Sequence, residues 1–142
     1  MPLIEKVLYC AQAKATAGRD IRVVSSDGGL DLNVIAPREL RGAGGRGTNP
    51  EQLFAASYAA SFLGMMRLVA AREGIAFPTD TEVEASVGVG PTLRGFGIEV
   101  ELRICLPGLP RAEADVLVEK SHAECPYSNA TRDNVSVRLV LT

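Results

Sequence analysis

Residues 53–66 of the chain read LFAASYAASFLGMM, fourteen consecutive positions without a charge. Just before them, Asn49 can cap a helix, Pro50 suits its first position and Gln52 completes a capping box. Because apolar or small residues occur all round this predicted helix, we expect it to be buried on every side. An apolar run of this length is too short to cross a bilayer. The sequence therefore predicts a long buried central helix, with the hydroxyl of Ser61 near its middle.

Length and composition indicate a single domain over residues 1–142, large enough to bury a core. The 15 basic and 17 acidic residues give a formal net charge of -2, and the basic residues are scattered, so no nucleic acid partner is expected. The N-terminal sequence MPLIEK lacks the features of a signal peptide. Three cysteines, an odd number, argue against a disulfide framework. We expect a cytoplasmic protein with reduced thiols and no membrane partner.

Turn residues and alternating patterns predict the remaining elements. A first strand is expected within residues 3–13, followed by a turn at 18–20. Asp27-Gly28-Gly29 separates residues 21–26 from residues 30–37 and is a strong hairpin signal. Alternating strands at 83–89 and 96–106 predict a second antiparallel hairpin. With an amphipathic helix at 111–124 and a last strand at 135–141, the pattern is α+β rather than doubly wound.

A glycine-rich segment, residues 38–47, contains the spacing Gly42-x-Gly44-x-x-Gly47 of a dinucleotide fingerprint. That fingerprint requires a strand leading directly into the loop and a third glycine inside the following helix, within a parallel unit. Here a hairpin precedes the segment and the helix begins only after Gly47. The pattern favours a plain flexible loop over a cofactor site.

Four side chains are of types that bind zinc: Cys10, Cys105, His122 and Cys125. Only the last two are close in sequence, so no metal site is expected. Ser61 could be a hydrolase nucleophile only with His122, the sole histidine, as its base, and the glycines of a nucleophile elbow are absent. Cys125 follows a predicted helix, whose C-terminal partial charge disfavours a thiolate. A buried inert cysteine is therefore the alternative to a reactive one.

Several motifs, taken together, resemble those of one protein family. They are Ala17-Gly18-Arg19-Asp20, Ser25-Ser26-Asp27-Gly28, Gly47-Thr48-Asn49-Pro50-Glu51-Gln52-Leu53-Phe54-Ala55-Ala56, Gly95-Phe96-Gly97 and Cys125-Pro126-Tyr127-Ser128-Asn129-Ala130-Thr131-Arg132. The chain is thus similar, essentially end to end, to the organic hydroperoxide resistance (Ohr) proteins of the OsmC superfamily. The resemblance implies antiparallel sheets around a long buried central helix, a second helix, and an interlocked homodimer with two active sites at the subunit interface.

The resemblance also implies an activity, that of a thiol-dependent peroxidase acting on organic and fatty-acid hydroperoxides. Dihydrolipoyl groups on partner proteins are the expected external reductant, and no bound cofactor is expected. Ser61 stands where the family has its peroxidatic cysteine, and Cys125 matches the cysteine that resolves the sulfenic acid into a disulfide. Arg19 and Glu51 match the activating arginine and its carboxylate partner.

Physical chemistry is consistent with these implied roles. A mid-helix thiol gains nothing from either helix end, so its thiolate needs a nearby cation such as Arg19, which Glu51 would hold in place. Glu51 and Ser61 are separated by about 15 Å along one helix, so we predict that the Arg19–Glu51 pair serves the site of the partner subunit. Four apolar residues suit the tail of an organic hydroperoxide, although core packing accounts for them equally well: Phe54, Phe62, Met65 and Phe96.

Serine at position 61 changes the expected activity. A hydroxyl has no useful anion near neutral pH and cannot pass through the sulfenic acid and disulfide states. We therefore expect this form to fold and to bind hydroperoxide without turning it over. An engineered substitution and a natural loss or change of activity both account for Ser61, and the intact motifs around it favour the first. Two alternatives stay open, a non-catalytic binding module for apolar hydroperoxides or lipids and a serine hydrolase.

Overall fold

The computed structural model of the protein describes residues 3–142. Three strands come first, β1 (Ala13–Thr16), β2 (Ile21–Ser25) and β3 (Asp31–Val34), followed by the long helix α1 (Pro50–Glu73). The strands β4 (Glu82–Thr92) and β5 (Gly95–Cys105), the helices α2 (Arg111–Glu124) and α3 (Pro126–Thr131), and the strand β6 (Ser136–Leu141) complete the chain. This architecture confirms the predicted α+β class. The chain divides into two compact units at Leu53, so the prediction of one domain stays a prediction.

The first unit contains an antiparallel sheet of three strands in the order β1-β2-β3. The predicted hairpin at 27–29 is present because its turn chemistry is local. The Gly29 amide and the Ser25 hydroxyl donate to the Asp27 carboxylate at 2.9 and 2.7 Å, and these bonds lower the pKa of that carboxyl. The prediction of a strand within residues 3–13 was wrong over most of its length, because regular pairing begins only at Ala13.

The glycine-rich loop makes close backbone contacts at two of its glycines, and its flexibility stays a prediction. Residues 38–40 form a turn of 3₁₀ helix, and Arg41 after it adopts a left-handed conformation with φ of 64°. A Cβ on Gly42 would fall 2.0 Å from the Ala36 carbonyl oxygen, and one on Gly47 would fall 2.9 Å from that of Asn33. Glycine at these two positions therefore permits close backbone contact with the end of β3.

Helix α1 begins as its sequence predicts. Asn49 caps it by accepting a hydrogen bond of 2.8 Å from the Gln52 amide, and Gly74 ends it with a positive φ of 69°. Burial on every side was a wrong expectation for the single chain, because the buried residues lie along one face: Tyr58, Phe62, Met66, Val69 and Ala70. The opposite face exposes small or apolar residues at a spacing of four, namely Ala56, Ala60, Gly64 and Leu68.

Helix α1 is longer than its uncharged run, which changes the comparison of its length with the thickness of a bilayer. Its 24 residues include an 18-residue window of mean hydropathy 1.5, which by length and composition alone would suffice to cross a membrane. The core helix of a soluble protein meets the same criterion, and α1 contributes five buried residues to a core. The absence of a membrane partner remains a prediction.

The second unit contains a sheet in the order β4-β5-β6. The predicted hairpin of β4 and β5 is present, and its inward positions pack against the buried face of α1 and against α2. The expectation of antiparallel sheets was wrong for the last strand, because β6 runs parallel to β5. The two helices between β5 and β6 form the long crossover that a parallel pair requires.

Candidate functional site

Ser61 on α1 lies against Cys125, and this contact is the centre of the candidate site. The Ser61 Oγ and the Cys125 Sγ are 3.8 Å apart, and the cysteine is fully buried. Cys125 is the single residue between α2 and α3, with an extended backbone (ψ of 127°) because Pro126 follows it. Its amide still donates to the Ser121 carbonyl at 2.8 Å, so the thiol is fixed at the junction of the two helices.

A second polar contact joins the same two segments. The Ser128 hydroxyl on α3 lies 2.7 Å from the Tyr58 hydroxyl on α1 and 2.8 Å from Nδ1 of His122 on α2. Tyr58 and Ser128 are fully buried, and His122 is half-buried. Arg132 donates to the His122 carbonyl at 2.7 Å and thereby holds the end of α3 against α2. Three helices therefore meet at one hydroxyl.

The environment of His122 favours its neutral ring, and one ring nitrogen contacts Ser128. Burial is the main cause that lowers the pKa of His122, and the positive charge of Arg132 lowers it further. Nδ1 is engaged by Ser128, whereas the contact of Ser61 is with Cys125. The structure thus does not bring Ser61 and His122 together as a nucleophile and its base, which the hydrolase alternative requires.

Ion pairs join the C-terminal ends of α1 and α2 near the cysteine. Arg72 donates to both carboxylate oxygens of Glu124, at 2.6 and 3.0 Å, and Lys120 contacts Glu73 at 2.9 Å. The bond from Arg72 lowers the pKa of Glu124, and the bond from Lys120 lowers that of Glu73. Because these side chains are solvent-exposed, the pairs contribute little stability each. They nevertheless fix the residue next to Cys125 against α1.

The four predicted substrate-binding residues occupy different environments. Phe62 is fully buried, and Phe54 and Met65 pack partly buried against the same core. The ring of Phe54 also meets those of Tyr58 and Tyr127 edge-on, with centroids 6.4 and 6.5 Å apart. Phe96, at the start of β5, is 72% exposed in the single chain. Phe54, Phe62 and Met65 thus share one core with Tyr58, while Phe96 lies apart from that core.

Arg19 and Glu51 belong to the first unit. Arg19 is exposed in the turn between β1 and β2, and Glu51 lies in the first turn of α1. Within residues 3–142 neither side chain takes part in an ion pair, and the Glu51 Oε2 is buried without a hydrogen-bond partner. A buried carboxylate oxygen normally accepts a hydrogen bond, so the Oε2 of Glu51 lacks the expected donor in the single chain.

A metal site needs several ligand side chains close together in the part of the chain that the structure describes. No group of three or more His, Cys, Asp or Glu side chains is placed there to hold an ion. Cys10 and Cys105 are free thiols, exposed and half-buried respectively, and both are distant in sequence from Cys125. The chemistry available at the centre is therefore that of position 61, Cys125 and the hydroxyl–imidazole contact beside them.

Sequence reasoning missed the Tyr58–Ser128–His122 contact, although two motifs contained its members. Tyr58 lies in the uncharged run around Ser61, and Ser128 lies in the motif that begins at Cys125. The usable signal was the matched spacing. Tyr58 precedes Ser61 by three residues and Ser128 follows Cys125 by three, so two helical segments that meet at one pair also meet at the other.

Comparison with known proteins identifies the family. The family model described as OsmC-like protein matches residues 42–140. An organic hydroperoxide resistance protein of Xanthomonas axonopodis pv. citri is 58% identical over 137 residues, covering 96% of each chain. The crystal structure of such a protein from Legionella pneumophila superposes with a TM-score of 0.90 at 46% identity, covering 96% of this chain and 99% of its own.

A second crystal structure, from Elizabethkingia anophelis, gives a TM-score of 0.91 at 45% identity, covering 96% of this chain and 98% of its own. Both solved structures are of organic hydroperoxide resistance proteins, and the similarity extends over both compact units. These relatives are named for a function in defence against peroxides. The chain therefore belongs to the OsmC-like family and, within it, to the organic hydroperoxide resistance proteins.

Proposed function

We propose that this fold carries a thiol peroxidase that reduces organic hydroperoxides to alcohols in oxidative-stress defence, and that Ser61 disables it in this chain. The observation that carries the proposal is the 3.8 Å contact between the side chains of position 61 and Cys125. A disulfide bond is about 2.05 Å long, so sulfur at position 61 would need to close a gap of less than about 2 Å.

The proposed reaction has three steps when position 61 carries cysteine. Its thiolate attacks the terminal oxygen of the hydroperoxide, the O–O bond breaks and a sulfenic acid forms, while the leaving alkoxide takes up a proton from water to become the alcohol. The thiol of Cys125 then attacks that sulfur, and a disulfide forms as water leaves. A dihydrolipoyl group on a partner protein reduces the disulfide by exchange, which returns both thiols.

Arg19 and Glu51 are assigned to the first step. Arg19 is permanently charged and would stabilise the thiolate and orient the peroxide oxygens. The unpartnered Oε2 of Glu51 supports the assignment, because a guanidinium would satisfy it. The length of α1 between Glu51 and Ser61, about 15 Å, favours a site that combines these residues from different subunits.

Ser61 removes the first step and leaves the rest of the arrangement in place. Serine oxygen is a weak nucleophile without a base, and His122 is engaged by Ser128. Oxygen at this position also cannot form the sulfenic acid that Cys125 would attack. The site therefore keeps the contact between position 61 and Cys125 but lacks the sulfur atom that would react with peroxide.

The test compares hydroperoxide consumption by this chain and by its Ser61→Cys variant, with cumene hydroperoxide as substrate and dihydrolipoamide as reductant. We expect no turnover by the chain and rapid turnover by Ser61→Cys. The matched control is the Ser61→Cys, Cys125→Ser double variant, which in the absence of dihydrolipoamide should reduce one equivalent of peroxide and stop as a sulfenic acid rather than a disulfide. Rapid turnover by the chain itself would sink the proposal.

A second candidate function, a binding module for apolar hydroperoxides or lipids, draws on the shared core of Phe54, Phe62 and Met65. It is favoured if Ser61→Cys stays inactive while the chain still binds a fatty-acid hydroperoxide in an equilibrium titration. The peroxidase proposal predicts instead that binding and turnover appear together in Ser61→Cys.

We also propose that the protein acts as a cytoplasmic homodimer. The exposed face of α1 is suited to contact with a second copy of the chain. Leu68 on this face is 59% exposed, and Ala60 and Gly64 on the same face carry no charge. Small residues on such a face permit close approach of another chain. The orphaned Glu51 oxygen offers a further reason to expect a partner subunit.

A further inference from the structure

Two contacts of matched spacing connect α1 to the segment that contains Cys125. One is the Ser61–Cys125 contact of 3.8 Å, and the other is the Tyr58–Ser128 hydrogen bond of 2.7 Å. Tyr58 lies about one helical turn before Ser61, and Ser128 lies about one turn after Cys125. The two contacts are therefore adjacent along the same two segments, and we call the Tyr58–Ser128 hydrogen bond the hydroxyl rung. The distance between position 61 and Cys125 must shorten during catalysis, whereas the hydroxyl rung is already formed.

The hydroxyl group of Ser128 forms the hydroxyl rung with Tyr58 and also bonds to His122 on α2. Ser128 has one proton to donate and can accept a second bond, so it satisfies Tyr58 and His122 together in either direction of donation. Burial keeps the imidazole neutral, which leaves Nδ1 free to act as the donor or the acceptor that Ser128 needs. The position of α3 is thus set by bonds to both α1 and α2.

We infer that Tyr58, Ser128 and His122 are positioning residues for the resolving step, holding the Cys125 sulfur within reach of position 61. The inference rests on the proposed function for its chemistry. In that step a sulfur–sulfur bond forms, the S–OH bond of the sulfenic acid breaks, and the thiol proton leaves with the hydroxide as water. Sulfur at position 61 must approach Cys125 by about 1.7 Å, the difference between 3.8 Å and a disulfide bond length.

A short helix that is loose at Ser128 would spend less time at this distance. The six residues of α3 have too few internal hydrogen bonds to fix their own position. Loss of the hydroxyl rung should therefore slow disulfide formation while leaving the attack on peroxide, which does not involve Cys125, at its original rate. Misplacement of a reacting group by about 1 Å can reduce a rate by tenfold to hundredfold.

The experiment measures the two steps separately in the Ser61→Cys protein. Sulfenic acid formation is followed by trapping with dimedone, and disulfide formation by rapid quenching and mass spectrometry. Adding Ser128→Ala or Tyr58→Phe should leave the first rate within about twofold and slow the second by about tenfold or more. The sulfenic acid that accumulates should then be overoxidised to sulfinic acid at lower peroxide concentrations.

Thr131→Val provides the matched control. Thr131 is also buried on α3, but its hydroxyl donates only to the carbonyls of Tyr127 and Ser128. Its loss should leave the ratio of the two rates unchanged. Equal slowing in Thr131→Val and Ser128→Ala, or no slowing in either, would overturn the inference.

Rescue at His122 separates positioning from general loosening. Asparagine places a polar atom close to the location of Nδ1, so His122→Asn should retain the disulfide rate, whereas His122→Leu should lower it. A lower rate in both variants would remove His122 from the positioning set.

Oxidation by diamide distinguishes failure of the inference from failure of the proposed function. Diamide accepts the two thiol hydrogens as its azo group becomes a hydrazine, so the disulfide forms without peroxide. If Ser61→Cys consumes no hydroperoxide, the proposed function is lost, but the diamide rate still reports positioning. Ser128→Ala should slow this reaction as well, and an unchanged diamide rate would contradict the inference.

Discussion

The hydrogen bond between Tyr58 and Ser128 leads to a quantitative prediction for the free energy of unfolding, which can be tested without catalytic activity. Ser128→Ala, Tyr58→Phe and the double variant form a thermodynamic cycle in the chain with Ser61 unchanged. The two side chains are fully buried and 2.7 Å apart, so each variant changes the hydrogen bonding of a group that water does not reach. The cycle therefore measures how strongly the two hydroxyls depend on each other.

The magnitudes follow from the bonds that each variant leaves unmade. Ser128→Ala leaves the Tyr58 hydroxyl buried without a partner, which should cost about 1–3 kcal/mol. Tyr58→Phe leaves Ser128 bonded to His122 and should cost only about 0.5–1.5 kcal/mol. In the double variant neither hydroxyl of the pair remains, and the half-buried ring of His122 can be hydrated. Its cost should fall short of the sum by about 1–2 kcal/mol.

Urea unfolding at one protein concentration provides the assay, because association would otherwise alter the apparent stability. With a slope of about 2 kcal/mol per molar urea, a coupling of 1 kcal/mol corresponds to a midpoint difference of about 0.5 M. Four equal slopes are required for the comparison. Additivity within about 0.3 kcal/mol would refute the view that Tyr58 and Ser128 form one bonded unit.

Two further predictions concern acid and association. The folded-state pKa of His122 lies below its ordinary value of 6.5, so the unfolded chain takes up its proton first as the pH falls. The free energy of unfolding should therefore decline between about pH 7 and 5, and His122→Asn should flatten this decline in urea titrations; an identical slope would contradict the assignment. The chain should sediment as a dimer of twice its 15.0 kDa mass. Ala60→Glu, on the exposed face of α1, should yield a folded monomer, whereas Glu113→Ala, exposed on α2, should remain dimeric; a dimeric Ala60→Glu protein would exclude this face.

Local signals explain which parts of the fold could be predicted. The hairpin at Asp27 depends on side-chain bonds within five residues, and the start of α1 depends on Asn49 and Gln52, three residues apart. Both are encoded where they occur, so sequence reasoning finds them. The alternation of β4 and β5 likewise identifies the inward face of each strand.

Nearby residues do not determine the direction of a strand in its sheet or what covers an exposed apolar surface. The alternation of β6 identifies its inward face but not its direction, which follows from the helical crossover that precedes it. Apolar residues at the N-terminus misled the strand prediction, because Leu3, Leu8 and Tyr9 are exposed and unpaired in the single chain. The apolar composition of α1 similarly predicted more burial than one chain provides.

The candidate site shows the same division between chemistry and placement. Residue types and a family resemblance singled out Ser61 and Cys125, and the fold brings them into contact. The matched spacing of Tyr58 and Ser128 indicates a second contact only once the first is known, because the bond between them crosses 70 positions of the chain. The hydrogen bonds of Ser128 to Tyr58 and His122 do not involve the side chain of Ser61, so exchange of a single atom at position 61 should leave their geometry intact. A form without the reacting sulfur should therefore keep the architecture that catalysis requires, which is why one substitution, Ser61→Cys, is a sufficient test of the proposed activity.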